Sequence, residues 1–178
     1  MPLQEDDKML TERPGLVLIG LGANLPTRHG SPRQTLEAAL QRMTADGLVV
    51  TLRSSMWRSR PVPISDQPWF VNAVAAIDTD LAPGALLDRL HRIEADFGRV
   101  RTVVNAPRVL DLDLLAYGDT VLDVAPGPLV PHPRMAGRAF VLHPLQEIAP
   151  RWIHPVTGLG LEEMIKALPA DQICEKDV

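Results

Sequence analysis

The sequence predicts an α+β domain: a mostly antiparallel sheet with helices packed on it. Three observations predict it. Apolar stretches with strand-like and helix-like spacing follow one another in the order strand, helix, strand, strand, helix, strand. A length of 178 residues suits one domain. A composition of 46% hydrophobic and 22% charged residues suits a packed core and argues against wholesale disorder. The element order is that of a ferredoxin-like split βαβ unit, for which we expect the helices on one face of the sheet.

Each element has its own justification. Residues 1–14 are polar and acidic, unlike a signal peptide, and form a leader. A buried strand runs from Leu16 to Leu21 and breaks at Gly22-Ala23-Asn24, with Gly22 expected as a turn glycine. Ser31-Pro32 starts a helix with Ser as N-cap. That helix carries Leu36, Ala39, Leu40 and Met43 on one face and stops before Gly47. "LVVTLRSSMWRS" alternates as one strand, followed by a turn-rich loop containing Pro61, Pro63 and Pro68. "WFVNAVAAIDT" is a strand, and Leu86, Leu87, Leu90, Ile93 and Phe97 mark a helix. "RVLDLDLLAYG" is a strand, "AFVLHPLQEIAP" turns into a helical piece, and a last helix spans 161–168. Residues 15–170 are thus the domain, and 171–178 a tail.

Composition narrows the function. The net charge of −4 implies no general polyanion-binding surface. The 18 basic residues comprise 15 Arg and 3 Lys; Arg makes the better two-pronged contact to phosphate, although GC-rich coding produces the same skew. With Cys174 alone there is no internal disulfide and no cysteine-based zinc site. No apolar run reaches the length of a membrane span, so a cytoplasmic location is expected.

The chemistry centres on "PRVLDLDLLAYG". On a strand, Leu110, Leu112 and Leu114 share the core-facing side, and Asp111 and Asp113 point together to the other. Two carboxylates that close repel unless a cation lies between them. Mg²⁺ commonly uses one or two carboxylates plus substrate phosphates. The alternative is a solvent-facing strand with two incidental Asp, against which stands the apolar character of the flanks. Arg99, Arg101 and Arg108 lie just upstream and suit a polyphosphate clamp; the alternative for them is surface ion pairing with Glu94 and Asp96. "VPHPRMAGRAF" adds His132, Arg134, Arg138 and Phe140. His132, between two prolines, can donate to a phosphate oxygen or cap a strand end. Asn72 offers donors and an acceptor to a heterocycle edge, or a ladder role, and Phe70 shares its face. "GLGANL" lacks the third glycine of a dinucleotide loop, and no phosphate-loop motif is present.

Seven stretches, "GLGANL", "SSMWRSRPV", "DQPWFVNA", "RIEADFGRVR", "APRVLDLDLLAYG", "VPHPRM" and "RAFVLHPLQEIAP", together resemble the 6-hydroxymethyl-7,8-dihydropterin pyrophosphokinases of folate biosynthesis. The likeness runs from about residue 16 to residue 150, and its order and spacing make it specific. The resemblance implies a ferredoxin-like fold and transfer of pyrophosphate from ATP to the dihydropterin hydroxymethyl group, releasing AMP. It implies ATP as co-substrate, two Mg²⁺ at Asp111 and Asp113, and catalytic roles for these two with Arg99 and Arg108. It further implies a pterin site of Ser59, Arg60, Val62, Phe70, Asn72 and Phe140. ATP or the moving phosphates would meet Glu94, Arg99, Arg108, Leu114, His132 and Arg138. The partners would be small molecules only, with neither nucleic acid nor membrane, and the protein a monomer. There are departures. The loop from Arg101 to Arg108 is one residue shorter than in a familiar form of the family. Asn105 stands where some members have Trp, Pro133 where some have Tyr, and Arg60 where Pro is frequent. The rivals are a metal-dependent phosphotransferase with another acceptor, and a ferredoxin-like RNA-binding module; the acidic, 4% aromatic composition weighs against the latter.

Overall fold

The computed structural model describes residues 15–100, 104–123 and 127–178. The leader 1–14 and Arg101 lie outside the described residues. The elements are β1 (Val17–Ala23), α1 (Pro32–Ala45), β2 (Val49–Arg53), β3 (Trp57–Ser59), β4 (Phe70–Asp78), α2 (Pro83–Asp96), β5 (Asp111–Tyr117), a 3₁₀ turn (Met135–Gly137), α3 (Ala139–Ile148), α4 (Leu161–Lys166) and β6 (Cys174–Lys176). The sheet has the order β5-β1-β4-β3-β6, with β2 also pairing β4. Its named strand pairs are antiparallel. The ferredoxin-like expectation is met: β4 lies between β1 and the β2/β3 strand, which makes the βαβ unit split.

Local sequence explains the helix boundaries. Ser31 caps α1 reciprocally: Gln34 N donates to Ser31 Oγ, and Ser31 N donates to Gln34 Oε1. Both α1 and α2 open on a proline, whose missing N–H costs nothing in a first turn. The buried residues Leu36, Ala39, Leu40 and Met43 of α1, with Leu86, Leu90 and Ile93 of α2, pack on one face of the sheet. There they meet Val17, Ile19, Leu21, Ala73, Ala75, Ile77, Leu112 and Leu114. Phe97, just past α2, is buried with them.

Four features differ from expectation. First, helices cover both faces. Leu18, Val74, Ala76, Leu115 and Ala116 form a second apolar cluster against Met135, Val141, Leu142, Leu145, Leu161 and Met164. The strands are apolar on both sides over half their length, and each side must be buried. Second, the expected single strand over 48–59 is broken into β2 and β3. Ser54 turns inward at the break, its Oγ accepting from Val74 N at 3.0 Å and donating to Ser55 O at 2.7 Å. Third, β6 lies within the expected tail and forms a sheet edge on β3. Fourth, Gly22 is no turn glycine. It sits within β1, opposite Asn72 on one side and Asp111 on the other. Among the described residues no helix is long and apolar enough to cross a membrane.

Candidate active site

Three adjacent strands build the floor of a cavity of about 460 Å³. On β1 the residues facing it are Gly20 and Gly22, bare of side chains. Asp113 lies opposite Gly20 and Asp111 opposite Gly22 across β5, while Asn72 lies opposite Gly22 across β4. Strand alternation therefore puts the two carboxylates on one face, while Leu110, Leu112 and Leu114 are buried in the core. The glycines matter sterically. A Cβ on Gly22 would stand 3.3 Å from Asn72 Oδ1, and one on Gly20 would meet Leu115 at 3.4 Å. Leu115 takes that place because, two residues beyond Asp113, it shares that strand face; a bulge in the β1–β5 register then turns Ala116 onto the same face.

The carboxylates are met by guanidinium groups. Arg99 donates to both Glu94 and Asp111 through close contacts. Arg108 Nη1 donates to Asp111 Oδ2 at 2.7 Å. Glu94, almost completely buried on α2, thus anchors the cation that reaches Asp111. Of the ion-pair alternative for Arg99, the Glu94 partner is found, buried rather than at the surface, while Asp96 instead pairs with Arg42. Burial and the neighbouring Asp111 charge push Asp113 up to about 6, against the opposing pull of Arg138, Arg108 and Arg99. A carboxylate so destabilised as an anion is one that an added cation would relieve. Among the described residues no group of three or more His, Cys, Asp or Glu could hold a metal by itself. Two hard oxygen donors completed by substrate phosphates are nonetheless an ordinary magnesium donor set, and the pair fits it.

His132 follows a cis peptide bond between Val130 and Pro131. Its N–H donates to Leu115 O at 2.7 Å, and its Nδ1 accepts from Arg134 N at 3.1 Å. The accepting Nδ1 puts the proton of the neutral ring on Nε2, leaving a donor there. Burial, then the charges of Arg138 and Arg134, pull its pKa down to about 4, so it stays neutral at physiological pH.

The other end of the cavity is a slot. Phe70 of β4 and Phe140 of α3 line it, with Ser59, Arg60 and Val62 beside them. Asn72 Nδ2 donates to Ser59 Oγ at 2.7 Å. That bond orients the amide and leaves Oδ1 as an acceptor over the Gly22 floor. Arg138 reaches over Phe140, 5.4 Å from guanidinium carbon to ring centroid.

Among the described residues, the anticipated site residues line this one cavity except Glu94, which stands behind Arg99. Leu114 both packs in the core and borders the cavity. So does Leu87, expected only as core and only partly buried. Sequence reasoning also passed over Asn24. This buried amide donates to Gln67 Oε1 and Pro68 O, each at 2.9 Å, and accepts from Arg108 N at 2.8 Å. Gln67 Nε2 in turn donates to Asn105 O at 3.1 Å. Asn24 therefore ties the end of β1, the proline-rich loop and the approach to β5 together. Asn105, where some family members carry Trp, has φ 59°, a left-handed conformation that Asn tolerates. A polar residue in an apolar-to-turn transition was the available signal for Asn24; its long-range partners were not.

Residues 18–150 match the family model described as 7,8-dihydro-6-hydroxymethylpterin-pyrophosphokinase. The chain is similar to a 2-amino-4-hydroxy-6-hydroxymethyldihydropteridine pyrophosphokinase of Pseudomonas aeruginosa, 44% identical over 88% of this chain and 94% of that one. A Haemophilus influenzae protein of the same name is 42% identical over 83% of this chain and 89% of its own length. Folic acid synthesis protein fol1 of Pneumocystis carinii is 39% identical, with 82% of this chain matching only 19% of that longer protein. Among solved structures, the fold is similar to Plasmodium falciparum HPPK-DHPS at TM-score 0.65 and 12% identity, covering 90% of this chain and 46% of that one. On the family match and these identities, the chain belongs to the 7,8-dihydro-6-hydroxymethylpterin pyrophosphokinase family.

Proposed function

We propose that this chain transfers the pyrophosphoryl group of ATP to the hydroxymethyl oxygen of 6-hydroxymethyl-7,8-dihydropterin, releasing AMP, for folate biosynthesis. The observation that carries the reading is the shared cavity: a carboxylate pair ringed by Arg opens into the same space as a slot with two aromatic rings and an amide. A pterin is flat and presents N–H donors along one edge. Phe70 and Phe140 suit its faces, and Asn72 Oδ1, with the main chain around Ser59, Arg60 and Val62, suits its edge.

Asp111 and Asp113, with ATP phosphates, would hold two Mg²⁺, which supply charge neutralisation to the triphosphate and acidify the attacking hydroxyl. The protein does the rest by positioning and electrostatics, as phosphoryl transfer generally requires. Arg99, Arg108 and Arg138 neutralise the triphosphate, with Arg99 held by Glu94. Neutral His132 donates from Nε2 to a phosphate oxygen without adding charge. Leu114 and Leu87 offer an apolar wall to the adenine. In the transfer the hydroxymethyl oxygen bonds to the β-phosphorus as that atom's bond to the AMP oxygen breaks, and the hydroxyl proton is lost. Loops 60–69 and 104–108, linked through Asn24, Gln67 and Asn105, exclude water that would otherwise hydrolyse ATP. The cavity is complete within one chain, which supports a monomer as the working unit.

The test is incubation with ATP, Mg²⁺ and 6-hydroxymethyl-7,8-dihydropterin, with nucleotide products resolved by chromatography. AMP and the pterin pyrophosphate are expected, and chelation should stop both. ADP as coproduct, or free pyrophosphate with the pterin unchanged, would replace this reading by the rival phosphotransferase.

A further inference from the structure

Helix α3 is capped from a distant part of the chain. A helix start leaves N–H groups without intrahelical acceptors, and its N-cap, Arg138, makes no side-chain capping bond. Gln172 supplies it instead. Its Oε1 accepts from Ala139 N at 2.8 Å, and its Nε2 donates to Gly137 O at 2.7 Å. One amide therefore grips the main chain on both sides of Arg138. Arg138 and Phe140, the residues this grip places, both border the cavity. With the cap provided by Gln172, the Arg138 side chain is free to lie over the Phe140 ring.

The same segment holds the opposite wall. Arg60 N donates to Ile173 O at 3.1 Å, and Cys174 pairs with Ser59 where β6 meets β3. Residues 172–174 thus bridge the Ser59–Arg60 side of the slot to the Arg138–Phe140 side. They lie beyond residue 150, where the family-model match ends.

We propose that Gln172 is a positioning residue for the pterin slot, setting the separation between Phe140 and the wall formed by Phe70 and Asn72. The inference rests on the pterin reading of that slot. Gln172→Met keeps the length of the side chain and loses both hydrogen bonds. Gln172→Glu keeps an acceptor for Ala139 N but sets an oxygen against Gly137 O. Calorimetry with 6-hydroxymethyl-7,8-dihydropterin, in the presence of Mg²⁺ and a non-hydrolysable ATP analogue, reads the effect. Two hydrogen bonds acting through Phe140 predict a loss of pterin affinity of about tenfold for Gln172→Met and a smaller loss for Gln172→Glu. Glu175→Gln is the control: it breaks the exposed Arg58–Glu175 pair on β6 and leaves the Gln172 bonds. Pterin affinity there should stay within about twofold of wild type.

Wild-type affinity in both Gln172 variants would overturn the proposal. So would a loss in Glu175→Gln as large as in Gln172→Met, which would mark general loosening of the edge strand. Phe140→Ala separates the two readings. If it binds weakly while the Gln172 variants bind normally, only the positioning role fails. If it binds as tightly as wild type, the pterin assignment of the slot fails and the proposal with it.

Discussion

The same three strands present two faces that are covered differently. On the face under α1 and α2, β1, β4 and β5 contribute apolar residues from end to end: Val17, Ile19 and Leu21; Ala73, Ala75 and Ile77; Leu112 and Leu114. On the other face each strand changes character along its length. Leu18 gives way to Gly20 and Gly22, Ala76 and Val74 to Asn72, and Ala116 to Asp113 and Asp111. The change falls where α3 begins, so the apolar half lies under helix and the polar half borders the cavity. The lesson is that the site was not carved into the core. It is the stretch of sheet that the second helical layer leaves uncovered, and its rigidity comes from the fully packed face behind it.

Exchanging single residues between the faces tests this division. The largest effect should come from Asp113→Ala, which removes half of the carboxylate pair: turnover should fall by about 10³-fold or more with an unchanged circular dichroism spectrum. Near-normal Mg²⁺-dependent turnover would break the comparison. Leu112→Ala, the neighbour pointing the other way, should reverse the pattern. It should cost about 3 kcal/mol in denaturant unfolding while the folded fraction keeps most of its turnover.

A subtler contrast concerns Asp113 itself. Its pKa is raised on folding to about 6, so the native state binds more protons than the unfolded state between the ordinary carboxylate value of 3.8 and about 6. Stability contributed by this group is therefore present at low pH and lost as pH rises through that window. In chelator-treated protein, Asp113→Asn should be more stable than wild type above pH ~6, by on the order of 1–2 kcal/mol, with the difference vanishing near pH ~4. A difference that grew toward low pH would show the opposite sign and refute the burial cause. The smallest effect is expected at Gly22→Ala. The added Cβ crowds Asn72 Oδ1 at 3.3 Å, so pterin affinity by calorimetry should fall by about three- to tenfold, while melting temperature holds or rises slightly. Unchanged affinity would show that the bare floor is not needed by the amide.

Legibility followed the range of the interactions. The alternation in "VLDLDLL" was enough to put Asp111 and Asp113 together and the leucines opposite, because period 2 is a property of the strand itself. Ser31-Pro32 marked a helix start because capping acts within one turn. Gly22 was misread because a glycine two residues before Asn resembles a turn locally, whereas its reason is a side chain 50 residues away, Asn72. The second layer of helices was missed because "FVLHPLQEI" shows an apolar face but not which sheet face it covers. The strand β6 was missed because three residues at a sheet edge carry almost no periodic signal.

The sequence by itself determined the strand and helix order, the pairing of the carboxylates on one side of β5, and the family to which the motifs point. Each of these follows from side chains within a few residues of one another or from their order along the chain. Only the tertiary structure decided that Asn24 ties the end of β1 to two other segments, that Glu94 anchors Arg99 beside Asp111, and that Gln172 caps the helix bearing Phe140. Those contacts join segments whose separation along the chain says nothing of their distance in space; packing the two helical layers on one sheet sets that distance.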